Sequence, residues 1–133
     1  MTLKMKRLDH VNLRTANLPA MVDWYERVLG LVSGPRPSFS FPGAWLYVGD
    51  HAIVHLVGQE TQPTVDPSDL KLEHFAIEAE GLGEMLARAE ADGQPATPRK
   101  VPGFPVVQVN LWDPDGNHIH VDFDAAEMDD LDG

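Results

Sequence analysis

Two stretches decide how this chain folds: LDHVNLRTANLPAM at residues 8–21 and LEHFAIEAEGLGEM at residues 72–85. Laid one over the other, they put His10 on His74, Leu18 on Leu82 and Met21 on Met85, all at an offset of 64 (74 − 10). Towards the end of each half GDHAIVHLV answers to DGNHIHVDF, where His55 falls on His120 at an offset of 65 (120 − 55) and Ile53 falls on His118. One loop insertion accounts for the drift of a single residue. Leucines align by chance; a histidine at the same two places in both halves is a much rarer coincidence, and a fixed internal offset marks a duplicated unit.

The order of elements is also the same twice. LDHVNLRT alternates as a half-buried strand does. Asn17 then offers an N-cap, Pro19 suits a first turn and Gly30 a C-terminal stop. Between them Leu18, Met21, Val22, Tyr25, Val28 and Leu29 recur at helical steps and give one apolar face. An irregular Pro/Gly-rich passage, GPRPSFSFPG, precedes the strands AWLYVG and AIVHLVG. The second half runs LEHFAIEAE as a strand, LGEMLARAEADG as a helix, then VVQVNLW and NHIHVDF joined by the tight turn DPDG. The expectation is an α+β chain of two paired βαβββ modules, forming a curved mixed sheet around a cleft. Module one spans about residues 6–58, a polar linker 59–70, module two 71–124, and an acidic, solvated tail 125–133.

Composition narrows the functions. With 133 residues there is room for one sizeable core. No cysteine occurs, which excludes disulfides, thiolate ligands and a cysteine nucleophile, and which suits a cytoplasmic protein. A formal net charge of −11 argues against nucleic-acid and anionic-membrane partners. No apolar run is long enough for a membrane helix, and MTLKMKRLDH does not read as a secretory leader. Arg14 and Arg36 remain local candidates for meeting an anionic ligand.

Of six histidines, the repeat singles out His10, His55, His74 and His120. If the modules are related by a pseudo-two-fold axis, these positions converge, and neutral imidazoles gathered at one point hold a borderline divalent metal. His51, in the turn GDH, reads as simply exposed. His118 shares strand parity with His120 and is a candidate ligand or substrate contact. By the same parity Glu78 and Asp122 are candidates for proton transfer, and Asp122 for orienting a ligand histidine. Arg14 has the parity of His10 and can hold an anionic substrate end. Tyr47 and Trp45 share parity and can line the pocket or fill the core. The segment Pro35–Gly43, with Phe39 and Phe41, reads as a substrate cover or a rigid loop.

The pieces LDHVNLRTANLPAMVDWYERVLGL, AIVHLV, LEHFAIEAEGL and DPDGNHIHV resemble the glyoxalase/bleomycin-resistance/extradiol-dioxygenase superfamily, also called vicinal oxygen chelate proteins, over nearly the whole chain. That resemblance implies metal ligands at His10, His55, His74 and His120, a homodimer, and a small substrate whose vicinal oxygens a divalent transition metal (Ni, Co, Fe, Mn or Zn) chelates. The implied function is a metal-dependent lyase, isomerase or dioxygenase. The alternatives are a non-catalytic, antibiotic-type binding protein of the same fold and a purely structural four-imidazole metal. His120 stands where many members carry Glu, and His55 where glyoxalase I carries a carboxylate, so no ligand carboxylate remains to serve as the base.

Overall fold

The computed structural model describes residues 1–131. Module one contributes β1 (Val11–Thr15), α1 (Leu18–Arg27), β2 (Val32–Gly34), β3 (Gly43–Val48) and β4 (His51–Gly58). Module two repeats the series with β5 (Phe75–Glu78), α2 (Leu82–Ala91), β6 (Arg99–Lys100), β7 (Val106–Trp112) and β8 (His118–Asp124), followed by a short helix, α3 (Glu127–Asp130). The strands form two four-stranded mixed sheets of identical topology, ordered β1-β4-β3-β2 and β5-β8-β7-β6. In each, the first strand runs parallel to the last and the hairpin is antiparallel. The fold is therefore the duplicated α+β arrangement that the repeat predicts, built as two sheets that are not joined into one.

The period-2 pattern fixes which face of each strand is covered. Along β8, Ile119, Val121 and Phe123 are buried while His118, His120 and Asp122 between them are only half-buried. Along β4, Val54 and Leu56 belong to the core, with Leu46 of β3 beside them. Met21, Trp24 and Tyr25 of α1 and Leu82, Met85 and Ala89 of α2 close over these apolar faces in one contiguous core shared by both modules. Each large side chain so buried stabilises the fold by roughly 1.5–3 kcal/mol. Polar bonds between modules add direction: Tyr25 donates from its hydroxyl to Asp113 (2.8 Å), the Trp24 indole donates to Asp92 (2.8 Å), and Asn17 donates to Asp115 (3.1 Å). Asn17 thus ties the modules together instead of capping α1 with its side chain.

Three local readings are modified. The short edge strands β2 and β6 sit inside the irregular stretches, where two or three exposed residues leave no alternation to read. Pairing in β1 and β5 begins at Val11 and Phe75, one residue after His10 and His74. The tail is not simply solvated. Its Glu127 carboxylate accepts the backbone N–H groups of Gly81 and Leu82 (3.0 Å each) at the start of α2, where Gly81 (φ 98°) has no side chain to do so. The last two residues of that tail lie outside the described ones. Among the described residues no helix is long and apolar enough to cross a membrane.

Candidate metal centre

The face of each sheet turned away from the core carries the histidines. In module one Asn12 of β1 and Trp45 of β3 flank His55 in register. His10, just ahead of β1, stacks on His55 with centroids 3.8 Å apart and planes 11° from parallel. Trp45 stacks on the other side of His55 at 4.0 Å, so that His55 is 7% exposed. Module two builds the same pair: His74 stacks on His120 at 3.7 Å and 13°. Here Asn110 of β7 is the register partner of His120, and His118 stands edge-on to both His74 (5.4 Å) and His120 (4.8 Å).

His74, His118 and His120 offer ligand nitrogens that all lie within 4.8 Å of one another. Among the described residues, His10 and His55 join no group of three or more candidate ligands. The four repeat-equivalent histidines thus stand as two stacked pairs, of which only His74 and His120 belong to such a group.

The donor chemistry fits a transition metal. Burial, helped by neighbouring His10, lowers the pKa of His55. Burial, helped by His74 and His118, lowers that of His120. Both rings are then neutral near pH 7, which leaves a lone pair free for a cation. Nδ1 of His120 is buried without a hydrogen-bond partner, as is Oδ1 of Asp122 two residues further along the same face. Buried polar atoms normally have partners, so these two orphans mark a place that a ligand completes.

The remaining sequence candidates separate. Arg14 is exposed on the face of His10. The β3–β4 register shifts between Leu46 and Tyr47, which pair with Val54 and Ala52 and leave Ile53 of β4 as the extra residue. Trp45 stacks on His55, whereas Tyr47 lines a cavity of about 450 Å³ between the modules, together with Glu78, Val28, Met85 and Phe123. The Tyr47 hydroxyl donates to the Pro35 carbonyl (2.5 Å). In the segment 35–43, Phe39 and Phe41 stack on each other at 4.9 Å beside the Arg36 guanidinium, a compact cluster that also donates to the Phe41 carbonyl.

Sequence reasoning missed two features. Asp9 accepts from Nδ1 of His10 (2.6 Å) and, through its other oxygen, lies 3.1 Å from Nε2 of His51. Glu73 does the same in module two, with Nδ1 of His74 on one oxygen and Nδ1 of His118 on the other (3.1 Å). The signal was present as an acidic residue immediately ahead of His10 and of His74 at the same offset of 64.

A duplicated pair of βαβββ modules, each presenting stacked imidazoles on its open face, defines a class of small-molecule proteins built around metal-binding clefts. The chain belongs to the Glyoxalase/Bleomycin resistance protein/Dioxygenase superfamily, whose family model matches residues 7–121. Among curated proteins it is similar to Glyoxylase I 4 of Arabidopsis thaliana, with 29% identity over 126 residues, 90% of this chain and 71% of the relative. Its fold is that of a glyoxylase/bleomycin resistance protein/dioxygenase domain from Frankia sp. EAN1pec, with a TM-score of 0.74 and 16% identity over 91% of this chain and 93% of that one. It is likewise that of the trypanothione-dependent glyoxalase I of Leishmania major, with a TM-score of 0.66 and 20% identity over 96% and 94% of the two chains.

Proposed function

We propose that this chain is a metal-dependent, glyoxalase-like enzyme, a lyase, isomerase or dioxygenase, acting on a small substrate with vicinal oxygens. The observation that carries this reading is the pair of stacked imidazoles repeated at equivalent places, His10 on His55 and His74 on His120. Those four residues would hold a divalent transition metal, with nickel, cobalt, iron, manganese and zinc all compatible with imidazole donors. Such an ion would supply Lewis acidity to the oxygens of a bound substrate.

Because His10 and His55 join no group of candidate ligands within one chain, the full set is proposed to form when the His10/His55 face of one copy meets the His74/His120 face of another, in a cytoplasmic homodimer. Leu8 and Leu72, repeat-equivalent and two residues ahead of His10 and His74, are 78% and 62% exposed. Apolar side chains left bare at equivalent places of the two modules support their being covered by a second copy.

Around the metal the chain's own groups take separate tasks. Asp122, with a buried and unpartnered oxygen on the face of His120, is proposed to accept and return a substrate proton, since no ligand carboxylate remains for that purpose. Glu78 is exposed, lines the larger cavity and is the lesser candidate. Arg14 is proposed to hold an anionic end of the substrate, and His118 to border it. Tyr47, tethered to Pro35, would shape the neighbouring cavity.

Elemental analysis of the untagged protein, grown with several divalent metals and purified without chelator, tests the reading together with light scattering. About one equivalent of transition metal per chain in a dimer supports it. A metal-free monomer would overturn it in favour of a non-catalytic binding protein.

A further inference from the structure

His10 and His74, each just ahead of its module's first strand, have a carboxylate directly before them in the chain, and in both modules that carboxylate is doubly engaged. Asp9 spans His10 and His51, and Glu73 spans His74 and His118. A carboxylate is purely an acceptor when ionised, so Nδ1 of His10 and of His74 must carry the proton in these bonds. With Nδ1 protonated in a neutral ring, the lone pair lies on Nε2.

The second histidine is itself fixed. His118 is gripped at Nε2 by Asn110 (2.8 Å) and lies flat on Trp112 with centroids 4.7 Å apart and planes 5° from parallel. His51 meets both the backbone carbonyl (2.9 Å) and the side chain of Asp9. An exposed acid beside a histidine in sequence is an ordinary accident. The same contact at repeat-equivalent places, closed each time by another histidine on the last strand of the module, is not.

We infer that Asp9 and Glu73 are positioning residues. Each takes the Nδ1 proton of the histidine that follows it, is steadied through its other oxygen by His51 or His118, and thereby sets Nε2 as the metal-facing atom. This rests on the metal reading above only for what Nε2 then meets; the tautomer stands without it. Outer partners of this kind orient metal-bound histidines and raise their basicity, and losing one commonly lowers metal affinity about 10–100-fold.

The first measurement is long-range ¹H–¹⁵N NMR of the metal-free protein at pH 8, which reads the tautomer of each ring. Nδ1–H forms at His10 and His74 are expected, giving way to mixed tautomers at His74 in Glu73→Ala and at His10 in Asp9→Ala. Glu73→Asp, which keeps an acceptor, is expected to restore the Nδ1–H form. His118→Gln is expected to fall between wild type and Glu73→Ala. An Nε2–H form in the wild type, or an unchanged tautomer in Glu73→Ala, would overturn the assignment. The second measurement is titration with Co(II), where Glu73→Ala should bind about tenfold or more weakly. Wild-type affinity in that variant would overturn the positioning role while leaving the metal site standing. Failure of the wild type to bind Co(II) at all would overturn the metal reading and leave the tautomer result intact.

Discussion

Module one and module two share strand order, helix placement and a stacked histidine pair, yet they surround that pair differently. In module one His55 is closed between His10 and Trp45, with Ile53 two residues behind it on the strand. In module two Asn110 stands at the register place of Trp45, His118 at the place of Ile53, and His120 keeps a buried nitrogen without a partner. Duplication has preserved the two imidazoles and let the setting diverge, one side apolar and tightly stacked, the other polar and equipped with a third imidazole. A function that used both halves alike would not need the difference; a bound ion gripped mainly by one half would.

The sharpest way to break that contrast is to remove one imidazole from each side. His74→Ala is expected to lose most of the bound metal, and His10→Ala appreciably less, because module two retains three candidate ligands within 4.8 Å. Elemental analysis of the two variants side by side decides it, and equal losses would remove the asymmetry. Next in size is the buried joint between modules. Asp113, 4% exposed, takes the Tyr25 hydroxyl, the side chain of Asn117 and the backbone N–H groups of Asp115 and Asn117. Asp113→Ala should cost about 2–4 kcal/mol in urea denaturation, since it strands several buried donors at once.

A pH series separates the histidines from the carboxylates. His55 and His120 have folded-state pKa values below the ordinary 6.5, so unfolding takes up protons in the interval between the two. Their contribution to stability is present above pH 6.5 and is lost as pH falls through the lowered values. Asp113 has the opposite sign: burial raises its pKa above 3.8, so its contribution declines as pH rises from there. Metal-free protein should therefore show a falling urea midpoint between pH 7 and pH 5, reduced in His120→Ala. A flat profile over that range would contradict the burial of the two rings. The smallest expected effect lies in the tryptophans. Trp45→Ala should destabilise by about 2 kcal/mol and Trp112→Ala, from a residue 49% exposed, by about 1 kcal/mol or less. Reversal of that order in thermal melts would show that module one is not the more tightly packed side.

Much of this was legible in the residues because two periodicities and one offset carry the information. The repeat at 64 gave the paired modules, and alternation along NHIHVDF separated Ile119, Val121 and Phe123 from His118, His120 and Asp122. Alternation states which face a residue takes; it does not state where two faces point once both sheets share a core. That is why the equivalence of four histidines was readable and their standing as two stacked pairs was not. His51 looked like a turn residue because its partner, Asp9, lies 42 positions away. Glu127 looked like part of a charged tail because the N–H groups it accepts belong to a glycine-led helix start 46 residues earlier.

The bulge at Ile53, opposite Leu46 and Tyr47, has an effect on how this chain can change over generations. One additional residue in β4, Ile53, shifts the pairing along the six-residue β3, whose Trp45 end meets the histidines and whose Tyr47 end meets the inter-module cavity. Substitutions at the two ends are thereby uncoupled: a lineage can remodel the cavity wall through Tyr47 and Val48 while the ring resting on His55 stays as it was.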